Sequence, residues 1–133
     1  MKSTLLALAL VSSALHAAEN PDSSPCDAVE NDQQTLECSI YSKNTADQLL
    51  ADNFQALLER IKDQYADNPA QLKDLDSQVR NAQQLWLKLR EADCAIEAFP
   101  AKPGSKAFSI SQNDCMARTS DERSEFLESI AQE

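Results

Sequence analysis

From Asp32 onward the chain repeats apolar positions at the three- and four-residue steps of an α-helix. Leu36, Ile40, Lys43, Asp47, Leu50, Phe54, Leu57 and Ile61 hold one phase. The spacing predicts one long helix over about 32–66, with a bend at the weak formers of "SKNTAD". The polar entries Lys43 and Asp47 predict that its first half is less buried. "YADNPAQL" breaks the pattern, because Pro69 suits a helix's first turn with Asn68 or Asp67 as its cap. A second helix follows over about 69–98, with the stripe Leu72, Leu75, Val79, Ala82, Trp86, Leu89 and Ile96. So short a connection predicts that the two helices are antiparallel neighbours. "FPAKPGSKAFSIS" (99–111) holds two Pro and the chain's one Gly and reads as a loop. A third helix over about 112–131 carries Met116, Thr119, Arg123, Phe126 and Ile130, with Ser111 as candidate cap. The expected fold class is all-α, a small helical hairpin with a third helix.

The N-terminus has a different character. "MKSTLLALALVSSALHAAENP" has an early Lys2, an apolar run from Leu5 to Leu15, and small residues at Ala17 and Ala18. That is the pattern of a secretory signal peptide (1–18) cleaved near Ala17 or Ala18. The run is too short to span a bilayer. Cys26 lacks the small and apolar residues that a lipid-anchor site needs before it, so no lipid anchor is expected. Residues 19–31 are polar, contain two Pro and show no period, which reads as an extended arm leading into a helical domain over 32–133. The expected location is the periplasm or the exterior.

Export changes the meaning of the cysteines. Cys26, Cys38, Cys94 and Cys115 are four thiols in an oxidising compartment, on a domain small enough to benefit from staples. Two disulfides are expected. Of the three possible pairings, sequence proximity and the helix assignments favour Cys26–Cys38 and Cys94–Cys115. Gaps of 12, 56 and 21 residues do not fit a four-Cys zinc site, so no metal is expected.

Charge and absences narrow the function. Without Lys2 the chain keeps 11 Lys and Arg against 22 Asp and Glu, a net charge of −11. That excludes nucleic acid as a natural partner and favours a cationic one. The single His, His16, lies in the leader, which removes the usual general base and the Ser–His and Cys–His dyads. One Gly leaves no phosphate-cradling loop, and no cofactor is expected. Only carboxylate chemistry would remain, and Asp47, Asp52, Glu59 and Asp63 fall mainly on the solvated side of the first helix. No catalytic residues are expected.

"AQQLWLKLREADC" (82–94) concentrates the unusual residues. Trp86 falls in the apolar stripe, and its large body suits the core. Gln83, Arg90, Cys94 and Glu97 lie along a neighbouring edge. There Arg90 lays its stem on the core and pairs its guanidinium, with Glu97 or Asp93 as candidate partners. The stretch resembles the hallmark "AQ-x-x-W-x-x-(F/L)-R-(D/E)-x-(D/E)-C" of the LprI-like lysozyme inhibitor family. Further matches are Cys26, "TLEC" (35–38), "DQLLADNF" (47–54), Gly104-Ser105, Cys115, and "TSDERSEFL" with Thr119, Arg123 and Leu127. The resemblance covers about residues 26–127. Two positions depart from it: Ala51 stands where the family has Asn, and Phe54 where it has Tyr.

The resemblance implies an exported inhibitor that binds a lysozyme-type muramidase, with Gln83, Trp86, Arg90 and Arg123 as its structural motif. Animal-type lysozymes are strongly basic, and a domain at −11 would be attracted to them. Their cleft holds two catalytic carboxylates. The loop "PAKPGSK", with Lys102, Gly104, Ser105 and Lys106, is a candidate wedge for such a cleft. The competing reading is a periplasmic interaction or immunity protein for another exported partner, without lysozyme inhibition.

Overall fold

The computed structural model describes residues 23–132, and the segment read as a signal peptide lies outside them. Three helices make up the domain: α1 (Asp32–Gln64), α2 (Pro69–Glu97) and α3 (Lys106–Ser129). Each begins with a side chain that occupies the free N–H groups of the first turn. Asn31 caps α1 by accepting from the amides of Gln33 and Gln34. The Gln34 side chain reaches back to accept from the Glu30 amide, one residue ahead of the cap. Asn68 caps α2 ahead of Pro69, as the sequence predicts. The helix α1 is unbroken through "SKNTAD" and is about 50 Å long at 1.5 Å per residue.

The third helix starts earlier than its sequence predicts. Gly104 turns the chain in the left-handed region at φ 80, and Ser105 then caps α3 by accepting from the Phe108 amide. Residues 106–111 are therefore helical, and Ser111 lies inside the helix. Lys106 is its first residue and is not part of the loop.

Packing is led by α1 and α3. They run parallel, as cross-links from Ser39 to Asn113, Asp47 to Ser120 and Gln64 to Ala131 show. The helix α2 is antiparallel to both, as its short connection to α1 predicts. It nevertheless touches α3 less than α1 does, and it touches α1 least. Leu50, Leu57, Leu58 and Ile61 of α1 meet Leu127 of α3 in the core, with Phe54, Leu72, Leu75, Val79 and Trp86 packed around them. Toward the other end small residues let α1 and α3 approach: Ser39, Ala46, Ser120 and Ser124 are all buried. Arg60 closes the C-terminal end of α3 by donating to the carbonyls of Leu127 (2.8 Å) and Ile130 (3.3 Å). There a cation also meets the negative end of the helix dipole.

The two disulfides are Cys26–Cys38 and Cys94–Cys115. The first holds the N-terminal arm on α1. The second joins α2 to α3 and is buried together with Met116.

Only part of the predicted apolar stripe of α2 faces inward: Leu72, Leu75, Val79 and Trp86 pack on the core, and beyond Val79 the inward side is mainly polar. Gln83, Arg90 and Cys94 are its buried residues. Ala82 is exposed, Leu89 is 57% exposed and Ile96 is 72% exposed. In α3, of the positions expected from Met116 to Ile130, Met116 is buried and Ile130 packs on the core, but Phe126 is exposed and the buried face otherwise runs through Cys115, Ser120, Ser124 and Leu127. One cause serves both helices. The Cys94–Cys115 bond and the polar partners of Arg90 fix their rotation, and apolar content alone does not.

Candidate functional site

Each helix sends one polar side chain to a shared point. Asp47 comes from α1, Arg90 from α2 and Ser120 from α3. Arg90 Nη1 donates to Asp47 Oδ1 at 2.5 Å and to Ser120 Oγ at 2.5 Å. The Ser120 hydroxyl donates in turn to Asp47 Oδ1 at 3.0 Å. Lys43, one turn before Asp47, supplies a second cation at 2.7 Å. Arg90 and Ser120 are buried, while Asp47 keeps part of its surface in water. Burial alone would raise the Asp47 carboxyl. Hydrogen bonds from Lys43, Arg90 and Ser120, with the Arg90 charge, outweigh that and hold it below the ordinary carboxylate value.

This arrangement corrects two expectations. Arg90 pairs across the bundle and not with Glu97 or Asp93; Glu97 instead binds Arg118 at 2.7 Å on the surface. Asp47 is not a solvated acid of α1 but the anion that neutralises Arg90. A single-helix reading sees only partners three or four residues away, and this pair is joined across 43 residues.

Trp86 stands beside the node, half-buried. The guanidinium of Arg90 lies 5.3 Å from its ring centroid and that of Arg123 lies 5.5 Å away. Arg123 also lies 4.9 Å from the Phe126 ring and donates from Nε to Gln83 Oε1 at 3.1 Å. Burial pushes the Arg123 guanidinium down from its ordinary value. The four motif residues Gln83, Trp86, Arg90 and Arg123 thus form one connected unit between α2 and α3. Trp86 is a platform for two cations at the edge of the core rather than a residue sealed inside it.

Grooves flank the unit on both sides. Trp86, Leu89, Asp93, Thr119, Glu122 and Phe126 line one of them. Asp47, Leu50, Ala51, Phe54, Gln83 and Leu87 line the other. The two positions that depart from the family pattern, Ala51 and Phe54, sit together in this second groove and make it more apolar. None of Lys102, Gly104, Ser105 and Lys106 lines either groove. Lys102 and Lys106 are exposed beyond the Cys94–Cys115 bond, and the Ser105 hydroxyl is engaged in capping. The loop and the motif are therefore separate places on the molecule.

Chemically, the node is a neutralised, hydrogen-bonded junction. Its carboxylate is held by cations, so it is poorly suited to act as a base. Among the described residues, no cluster of three or more His, Cys, Asp or Glu is gathered to hold a metal ion. None of the helices is long and apolar enough to cross a membrane.

Known proteins place this geometry. A search of curated proteins finds no match. Among solved structures, the chain resembles a DUF1311 family protein from Pseudomonas putida KT2440, at 39% identity and a TM-score of 0.70. The similarity covers 80% of this chain and 99% of that one. The model of the family described as "Lysozyme inhibitor LprI" matches residues 26–127. That span runs from the first cysteine through both disulfides and the whole Asp47–Arg90–Trp86–Arg123 unit. With the hallmark, its partners and its staples all inside the match, the chain belongs to the LprI lysozyme inhibitor family.

Proposed function

We propose that this protein is exported and inhibits a lysozyme-type muramidase by binding it. The family match over residues 26–127 carries the reading. The net charge of −11 after the leader supports it, because it favours encounter with a basic enzyme. Two disulfides fit an oxidising compartment. The inhibitory element we propose is the loop around Lys102, placed in the enzyme's acidic cleft. The turn at Gly104 and the buried Cys94–Cys115 bond hold that loop from either side.

The test is clearing of bacterial cell walls by lysozymes of several classes, with the purified protein added. Inhibition should appear at micromolar protein or below. Raising ionic strength from low to about 0.5 M should slow association much more than it changes dissociation. Lys102→Ala and Lys106→Ala should weaken inhibition chiefly through faster dissociation. An unchanged inhibition constant in both would exclude the loop and leave the acidic helix faces as the binding surface. No inhibition of any lysozyme class would favour the second reading, a binding or immunity protein for another exported partner.

A further inference from the structure

The C-terminal half of α2 carries an apolar seam on the outside of the molecule, which takes in Ala82, Leu89 and Ile96 of the stripe that the sequence assigns to the core. Ala82, Leu85, Leu89, Ala92 and Ile96 follow one another at alternating steps of three and four residues, and Phe99 continues the spacing in the turn just past the C-cap Ala98. All six are exposed. The large ones are 58% (Leu85), 57% (Leu89), 72% (Ile96) and 78% (Phe99) exposed. They lie opposite the buried face of Gln83, Arg90 and Cys94. A strict alternation of this kind is the narrow seam by which one helix packs along another. Among the described residues nothing covers its large side chains.

We infer that this seam joins two copies of the chain, α2 against α2, in an antiparallel pair. The register is self-complementary. A half-turn centred between Leu89 and Ala92 sets Leu89 against Ala92 of the second copy, Leu85 against Ile96, and Ala82 against Phe99. Two of these three layers match a large side chain with a small one. Closed pairing through one repeated patch is the commonest form of protein self-association. The charge pattern selects the occupant. Residues bordering the seam are Asn81, Trp86, Lys88, Asp93 and Ala95, one cation and one anion. On a chain at −11 this strip is locally neutral. Two acidic copies meet there with least repulsion, while a basic partner finds no excess of carboxylates.

Size agrees. The exposed large side chains offer on the order of 500 Å², within the range of about 300–600 Å² for the largest apolar patch on a monomer. That is below the roughly 800 Å² per partner of a standard interface, which fits a pair that forms and separates with concentration. The inference does not rest on the lysozyme reading, and salt separates the two. Screening weakens attraction to a basic enzyme. It strengthens the association of two like-charged copies held by apolar contact.

Sedimentation velocity of the purified, disulfide-bonded protein over a hundredfold concentration range tests this. The weight-average mass should climb toward twice the monomer mass. The dissociation constant should fall at least threefold between about 0.05 and about 0.5 M salt. Ile96→Glu and Ile96→Lys should each weaken association at least tenfold, because either charge would be buried at the seam. Both should keep the wild-type circular dichroism and melting temperature, since Ile96 supports nothing inside the monomer. A wild type that stays monomeric at the highest concentration and salt overturns the inference. So does a dimer that both Ile96 variants form as readily, or one that salt weakens. Loss of lysozyme inhibition in Ile96→Glu, with a monomeric wild type, would assign the strip to the enzyme and likewise overturn it.

Discussion

Replacing Asp47 with alanine should destabilise the domain by about 3 kcal/mol. Removing one member of a buried ion pair leaves the other charge uncompensated, which costs about 3–5 kcal/mol. The lower end applies because Asp47 keeps 30% of its side-chain surface. Arg90 has only 7% of its own and would keep the Ser120 hydroxyl and the Trp86 ring but no anion. In a domain of this size the melting temperature should fall by about 10–20 °C. Asp47→Asn should lose less, since its side-chain oxygen still accepts from Arg90 and Ser120. Asp47→Leu combined with Arg90→Met should recover most of the loss, because no stranded charge remains. The pH profile follows from the same contacts. A carboxyl held below its unfolded value contributes stability above that value of 3.8, and the contribution is lost as pH falls through the lower folded value. Wild-type stability should therefore drop below about pH 4 more steeply than that of Asp47→Ala. Thermal melts of the four proteins across pH decide it, and an Asp47→Ala melting point within two degrees of wild type would refute the central role of the pair.

Trp86→Ala should cost a similar amount, about 3 kcal/mol, for different reasons. Truncating a large aromatic packed on a core costs about 3–5 kcal/mol, and its half-burial places Trp86 at the low end. The Arg90 and Arg123 guanidiniums would also both lose the ring they lie over. Total stability for such a domain is about 5–15 kcal/mol, so the variant should be poorly recovered or melt early. Trp86→Phe keeps an aromatic face for both guanidiniums and should retain most of the stability. Urea unfolding followed by circular dichroism measures all three. If alanine and phenylalanine prove equally mild, the ring serves a binding surface and not the fold.

Helices were legible because burial is periodic even where its phase is misleading. The first two were readable nearly to their ends from Pro69, Asn68 and the steps through Leu50, Leu57 and Ile61. The disulfides followed from four thiols and their proximity. The hallmark from Ala82 to Cys94 identified the family, and its polar residues turned out to be the inward ones. The inward face of α2 was legible by apolar count at Leu72, Leu75, Val79 and Trp86 but not at Leu89 and Ile96, because arginine and glutamine are counted as surface residues while leucine and isoleucine are counted as core. An Arg–Asp–Ser junction spanning three helices inverts that rule, and none of its cross-helix partners lies near in sequence. The start of α3 was hidden for a local reason. Pro, Gly and Ser dominate residues 103–105, and the helix they initiate opens with residues that alternate like a loop or a strand. Ala51 and Phe54 were noticed only as departures; the fold shows that they share one groove.

The two disulfides differ in how solvent reaches them. Cys94 has none of its surface in solvent and Cys115 has 2%, whereas Cys26 and Cys38 are only partly buried at the arm. A thiolate must touch sulfur to exchange with it. An external reductant can therefore open the arm bond on the folded protein, but reaches the inner one only when α2 and α3 come apart. In a milieu rich in small thiols, the lifetime of the inner bond is set by the protein's own unfolding rate. The arm can be released and re-formed many times while the helical body keeps its shape.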